Sequence, residues 1–282
     1  MWANFHTHSH YCDGVGKLSE YADAAQQKGM SSLGFSSHAP VSFPCTWCMK
    51  RENLEAYLKN INSLKPLYPA LQLYKGMEVD YIPGIVSPLD FKKVLDYSIG
   101  SIHFVDQFPD GKHWEIDGAH SVFLNGLENI FNNNIRHAIT RYFELTREMV
   151  ESSNPDVIGH LDKIKIQNSK EKFFKESDFW YKAEIIRTLD AIQKAGSIVE
   201  VNTRGLYQKK SETPYPSPWI LEIINQRNIP VTLNSDAHHP QDIASQFEET
   251  ASLLLAIGFK KISILRDGSW KPATLTPHGI AL

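Results

Sequence analysis

The densest chemistry of the 282-residue chain lies at its start, in Phe5-His6-Thr7-His8-Ser9-His10-Tyr11-Cys12-Asp13-Gly14. In an extended segment successive side chains alternate faces, so His6 and His8 point to the same side. Two neutral imidazoles held side by side form a pincer for a divalent ion, and Asp13 adds a carboxylate on the turn that follows. The same kind of residue recurs where later apolar runs end. Leu33-Gly34-Phe35-Ser36-Ser37 leads into His38, Gly76-Met77 into Glu78, Ser101-Ile102 into His103 and Ile158-Gly159 into His160. Two further runs end in Glu200-Val201-Asn202-Thr203-Arg204 and in Asn234-Ser235-Asp236-Ala237-His238.

His6, His8, Asp13, His38, Glu78, His103, His160, Asp236 and His238 therefore make nine candidate ligands. A catalytic zinc keeps about three protein ligands and one open position. Nine is too many for one ion, adequate for two, and right for three if a carboxylate bridges, as Glu78 or Asp236 can. Imidazole and carboxylate without a thiolate set suit Zn, Mn or Fe and do not choose among them. The other histidines, His10, His113, His120, His137, His239 and His278, are expected to be exposed or locally hydrogen-bonded, with His10, His113 and His239 close enough to approach a substrate.

Such scattered residues meet only if the elements that carry them share one polarity. β-like runs alternate with helical patterns: Trp2–His8, then Leu18, Tyr21, Ala22 and Ala25 at helical spacing up to Gly29. Ser32–Ser37, a helix over about Glu52–Leu64, Leu71–Val79 and Tyr97–Phe104 follow. Phe104 to His120 reads as a long loop, a lid or specificity segment, and His120–Ser153 as mostly helical with a break at Asn132-Asn133-Asn134. Asp156–His160, a helix Glu176–Ala195, Ser197–Asn202, a helix Ser217–Arg227, Pro230–Ser235, a helix Gln241–Ile257 and a last run Lys261–Leu265 complete the chain. Seven alternations predict parallel strands with right-handed crossovers, closed into a barrel in a single α/β domain. The active site of such a barrel lies at the carboxyl ends of its strands, where the polar residues fall. A doubly wound open sheet is the competing architecture; no Gly-rich phosphate fingerprint follows the first run.

Composition narrows the class further. A net charge of −3 gives no reason to expect a nucleic-acid or membrane partner. Three cysteines, an odd number, point to a reducing compartment, and the default location is cytoplasmic. Cys45-Thr46-Trp47-Cys48 has redox or zinc spacing, but with no second pair it reads as loop packing. Neither a secretory leader nor an apolar run of bilayer-spanning length is evident.

In order and spacing, His6-Thr7-His8, Gly34-Phe35-Ser36-Ser37-His38, Gly76-Met77-Glu78, Ser101-Ile102-His103, Gly159-His160-Leu161-Asp162, Glu200-Val201-Asn202-Thr203 and Ser235-Asp236-Ala237-His238 resemble the polymerase and histidinol phosphatase (PHP) family, across essentially the whole chain. The resemblance implies a PHP phosphoesterase domain over residues 1–282 with a distorted, TIM-like (β/α)7 barrel and a trinuclear metal centre. By motif, His6, His8, Glu78 and Asp236 would hold a first ion, Glu78 with His103 and His160 a second, and Asp13, His38 and His238 a third. Some relatives carry histidine where Asp13 stands. The implied reaction is hydrolysis of L-histidinol phosphate to L-histidinol and phosphate, a step of histidine biosynthesis.

The chemistry expected of such a site follows from the substrate. A phosphate monoester dianion repels nucleophiles; two metals about 3.5–4 Å apart lower the pKa of a shared water and present hydroxide to phosphorus at neutral pH. Arg204 is the best-placed phosphate clamp, because its fork matches two oxygens, and Lys163 is a weaker one. A metal-bound water, Asp236 or His238 would protonate the leaving group, with Glu78 bridging as the third catalytic residue. Glu115 or Asp117 is expected to meet the cationic end of the substrate. The alternatives are a PHP phosphoesterase acting on a nucleotide or nucleic-acid end, and a silent barrel kept as a binding module. Ligand loss would mark the latter, and all nine positions carry competent side chains.

Overall fold

A computed structural model describes residues 1–282. In chain order, β1 (Ala3–Asn4), α1 (Leu18–Gln27), β2 (Ser32–Phe35) and α2 (Leu54–Leu64) lead to a strand broken into two parts, β3 (Gln72–Lys75) and β4 (Glu78–Asp80). β5 (Ile99–Ser101) is followed by a hairpin of β6 (Phe104–Gln107) and β7 (His113–Glu115), then by α3 (His120–Asn129) and α4 (Ile135–Ser153). Next come β8 (Val157–Ile158), α5 (Phe179–Ala195), β9 (Ile198–Asn202), α6 (Arg204–Tyr207), α7 (Pro218–Gln226), β10 (Val231–Asn234) and α8 (Phe247–Ile257). The chain ends in β11 (Lys261–Arg266), β12 (Ser269–Thr276) and β13 (Gly279–Ala281).

The strands close into a ring. β1, β2 and β3 form one parallel arc, and β4, β5, β8, β9 and β10 form the other. A parallel bridge between His38 and Glu78 joins the arcs on one side, and a bridge between Thr7 and Ala237 joins them on the other. With β3 and β4 counted as halves of one strand, this is the expected seven-stranded α/β barrel. Its distortion has a local cause. Tyr97 lies against both Gly34 and Gly76, where an added Cβ would come within 2.2 and 2.1 Å of its ring or hydroxyl. The Tyr97 hydroxyl donates to the Phe5 carbonyl at 2.5 Å. The interruption between β3 and β4 falls at Gly76-Met77, where the chain passes this ring.

The helices pack as their patterns require. Leu18, Tyr21, Ala22 and Ala25 are the buried stripe of α1, and the Glu20 carboxylate accepts from the Lys17 backbone N–H at 2.6 Å to close its first turn. Gly196 ends α5 in a left-handed conformation, φ 75°. One apolar cluster of 72 buried residues runs through the barrel, its helices and the C-terminal strands.

Two expectations are corrected. The segment Phe104 to His120 is not a loop throughout: Trp114 of the hairpin is fully buried and packs on Phe123 and Phe131, with ring centroids 5.5 and 5.4 Å apart. The last run, Lys261–Leu265, lies outside the barrel as part of an antiparallel three-stranded sheet. Trp270 of this sheet meets Phe5 at 5.1 Å and Tyr97 at 6.0 Å. Finally, the Cys45 and Cys48 sulfurs are bonded to each other, so the pair is a disulfide rather than two packed thiols. No helix is long and apolar enough to cross a membrane.

Candidate metal centre

Each ligand candidate leaves the end of a barrel strand or the segment just beyond it. The seam positions the first pair: the His8 N–H donates to the Ala237 carbonyl at 2.8 Å and the Ala237 N–H to the His6 carbonyl at 3.2 Å. Asn4 locks this seam, donating to Ser235 Oγ at 2.7 Å and to the Ile243 carbonyl at 2.9 Å. His160 and Asp236 carry positive φ values, 20° and 52°. Backbone of that kind outside glycine is strained and persists where surrounding contacts over-determine it.

All nine candidates converge. Glu78 lies at the centre, its two oxygens turned to different partners. Oε1 is 2.9 Å from His160 Nε2 and 3.7 Å from His103 Nε2. Oε2 is 3.1 Å from His6 Nε2, 3.4 Å from His8 Nε2 and 3.1 Å from His38 Nδ1. Asp236 Oδ1 approaches His8 Nε2 at 3.2 Å, and Asp13 Oδ2 approaches His238 Nε2 at 3.1 Å. Four overlapping groups each bring their donor atoms within 4.8 Å: His6, His8 and Asp236; Glu78, His103 and His160; His38, Asp80 and His103; His8, Asp13, His38 and His238.

The donor atoms fit metal ions. His6 Nε2, His8 Nε2, His38 Nδ1 and His160 Nδ1 are buried without a hydrogen-bond partner, and orphaned buried nitrogens of this kind are costly unless something binds them. Burial, with the neighbouring His238 and His38, holds His8 well below the usual histidine range, and burial takes His38 down to about 4. Both imidazoles thus keep a free lone pair at neutral pH. Burial works against charge on His6 as well, but Glu200, Asp236 and Glu78 raise it well above the ordinary value. The carboxylates demand positive charge at that point, which a divalent cation satisfies in place of a proton. Glu78 and Asp236 stay ionised for the complementary reason: burial opposes their charge, but His6 with His38 and His103 at Glu78, and His6 with Arg204 at Asp236, together outweigh it.

Two carboxylates that sequence reasoning left out of the site orient the ligands. Glu200, fully buried, pairs with His6 Nδ1 at 2.6 Å and accepts from the His160 backbone at 2.8 Å. Asp80 pairs with His103 Nδ1 at 3.1 Å and, against burial, raises that imidazole to about 9. Such partners fix the tautomer and aim the other nitrogen inward. The signal for Asp80 was present in its position two residues beyond Glu78, on the same strand face.

The expected substrate contacts are also at the cavity. It encloses about 170 Å³, and its wall includes Lys163, Arg204, Glu115, Asp117 and Trp47 beside the ligands. Arg204 Nη1 donates to the Asp236 carbonyl at 2.8 Å and also contacts His238 Nδ1. Lys163 Nζ lies 2.9 Å from Asp117 and 3.3 Å from His103 Nε2. Against burial, Lys163 holds Asp117 well below the usual carboxylate range, whereas burial and then Asp117 raise Glu115. Asp117 is therefore already paired, and Glu115 is the acid left for a cation. His10, His113 and His239 do not line the cavity; His113 instead stacks on Phe43 at 4.1 Å.

A closed parallel α/β barrel with imidazoles and carboxylates clustered at the carboxyl ends of its strands defines a barrel of the metallohydrolase type. The profile of the PHP domain matches residues 4–204, and the chain belongs to that family. A protein of Schizosaccharomyces pombe is 27% identical over 283 residues, covering 93% of this chain and 89% of its own. The histidinol-phosphatase of Bacillus subtilis is 27% identical over 267 residues, 86% of this chain and 96% of its own. Among solved structures, histidinol phosphate phosphatase of Lactococcus lactis, complexed with Zn, L-histidinol and phosphate, superposes with TM-score 0.68 at 19% identity, over 100% of this chain and 99% of that one. A Listeria monocytogenes structure reaches 0.76 at 21% identity, over 88% and 99%. These likenesses establish the TIM-like fold.

Proposed function

We propose that the protein is a metal-dependent phosphate monoester hydrolase that converts L-histidinol phosphate to L-histidinol and phosphate in histidine biosynthesis. The observation that carries this reading is the division of Glu78 between two sets of imidazoles, which suits a carboxylate shared by neighbouring cations. The B. subtilis relative bears the same activity in its name, and the L. lactis structure holds Zn, L-histidinol and phosphate.

Charge supports the reading independently. Five carboxylates line the cavity against three cationic side chains, a surplus that repels a phosphate dianion. The ligand set His6, His8, Glu78 and Asp236 would hold one ion, Glu78, His103 and His160 a second, and Asp13, His38 and His238 a third. Bound there, Zn, Mn or Fe supplies a low-pKa water as nucleophile and neutralises the phosphate. Arg204 clamps the phosphate beside Asp236, and Lys163 adds a cation across the cavity. The proton that the leaving alkoxide needs would come from a metal-bound water or from His238, on the Arg204 side, since Asp236 is held ionised by His6 and Arg204 and has none to give. Glu115 receives the cationic end of the amino alcohol.

The unbroken core supports reading residues 1–282 as one PHP domain. The setting of this reading is the cytoplasm. Phosphate release from L-histidinol phosphate, from nucleotides and from an aryl phosphate, each at several concentrations, tests the substrate. A higher kcat/KM for L-histidinol phosphate is expected; selective turnover of a nucleotide would transfer the assignment to another phosphoesterase.

A further inference from the structure

Among the charged side chains of the cavity, one cation has no counter-charge. Lys163 is paired with Asp117 and Arg204 with Asp236. Lys210, an exposed residue just beyond α6, makes no ion pair and no side-chain hydrogen bond, yet it lines the same cavity. Its backbone is not loose: the Lys210 N–H donates to the Gly205 carbonyl at 2.9 Å, fixing it over the helix that carries Arg204. Burial, and then the facing cations Arg204 and Lys163, lower its affinity for a proton, while Asp117 and Asp236 act more weakly in the opposite sense. With Lys163 and Arg204 already neutralised by Asp117 and Asp236, Lys210 is the cation of the cavity left to meet an anion.

Lys210 also stands on a boundary. It lines a second, wider cleft of about 500 Å³, whose wall sets Lys165, Lys170 and Lys209 beside Glu171, Glu176 and Glu212. A phosphate leaving the cavity on this side passes the Lys210 ammonium. We propose that Lys210 is a phosphate-binding residue at the exit of the metal cavity, gathering the ester as it enters and holding inorganic phosphate as it leaves. The proposal rests on the phosphatase reading but concerns only the phosphate end of the ligand. Lysine suits the role, since a flexible ammonium follows a moving anion as a point charge without the fixed geometry of a guanidinium.

The test uses the metal-loaded full chain with an aryl phosphate as substrate and inorganic phosphate and L-histidinol as inhibitors. Lys210→Ala is expected to raise KM and the inhibition constant for phosphate together, by about twofold to fivefold, the range of a partly exposed charge contact. Lys210→Glu should raise both further, and Lys210→Arg should restore most of the loss. Metal content and inhibition by L-histidinol should stay at wild-type values, and the ionic-strength dependence of KM should flatten in Lys210→Ala. Unchanged phosphate inhibition in both Lys210→Ala and Lys210→Glu would overturn the proposal, as would an equal loss of affinity for L-histidinol. Because the substrate is an aryl ester, failure of the histidinol assignment would appear separately, as poor turnover of L-histidinol phosphate by the wild type.

Discussion

The two oxygens of Glu78 face opposite halves of the imidazole cluster, His103 and His160 on one side and His6, His8 and His38 on the other. A group so placed serves more than one ion, so Glu78→Ala should lose bound metal and activity together. Arg204 touches the site from outside the donor set, and Arg204→Ala should keep its metal content while kcat/KM falls about 10- to 100-fold, the value of a charge-assisted hydrogen bond. Metal analysis beside kinetics separates the two variants. Glu115 makes a third prediction. Burial and Asp117 raise its pKa, so its negative charge is present above that value and is lost as pH falls through it. KM for L-histidinol phosphate should therefore rise on acidification, and Glu115→Gln should flatten that rise, measured against an aryl phosphate to remove the titration of the ester itself. At this scale the sequence was legible because ligand types are few and recur at the ends of apolar runs. Of the anchors, Asp80 could have been found from its place two residues beyond Glu78 on the same strand face, whereas nothing in the sequence set Glu200 apart as the partner of His6.

At the scale of the elements, the seam between β1 and β10 does the positioning. Asn4 donates to Ser235 and Ile243 from a fully buried site, and its side-chain Oδ1 accepts from the His6 N–H at 3.1 Å. Asn4→Ala would strand these partners, and a loss of about 2–3 kcal/mol is expected in denaturant unfolding, with weaker metal retention because His6 and His8 hang on the same seam. The run from Trp2 to His8 was read as one strand, but only Ala3–Asn4 pairs in a regular ladder; side chains of Asn4 and Asn234 take over beyond it. The hairpin of β6 and β7 escaped notice because charge and glycine around Asp110 and Gly111 dominate its composition. The hairpin of β11 and β12 did leave a signal: Asp267-Gly268, both with positive φ, is the two-residue turn that joins antiparallel strands.

Over the whole molecule, closure and charge combine. The barrel brings residues as far apart in sequence as His6 and His238 to one mouth, while the C-terminal sheet places Trp270 against Phe5 and Tyr97. What the sequence could not show is which charges would neutralise one another: the pairing of Lys163 with Asp117 and the isolation of Lys210 depend on how segments distant in the chain meet. The mouth that results has more carboxylates than cations, so its affinity for phosphate depends on bound metal. The most direct test is phosphate release from L-histidinol phosphate by protein stripped of metal with a chelator and then reloaded separately with Zn, Mn or Fe. Activity should vanish on stripping and return with at least one of these ions. Hydrolysis that survives complete stripping, or that returns with none of the three, would contradict the account.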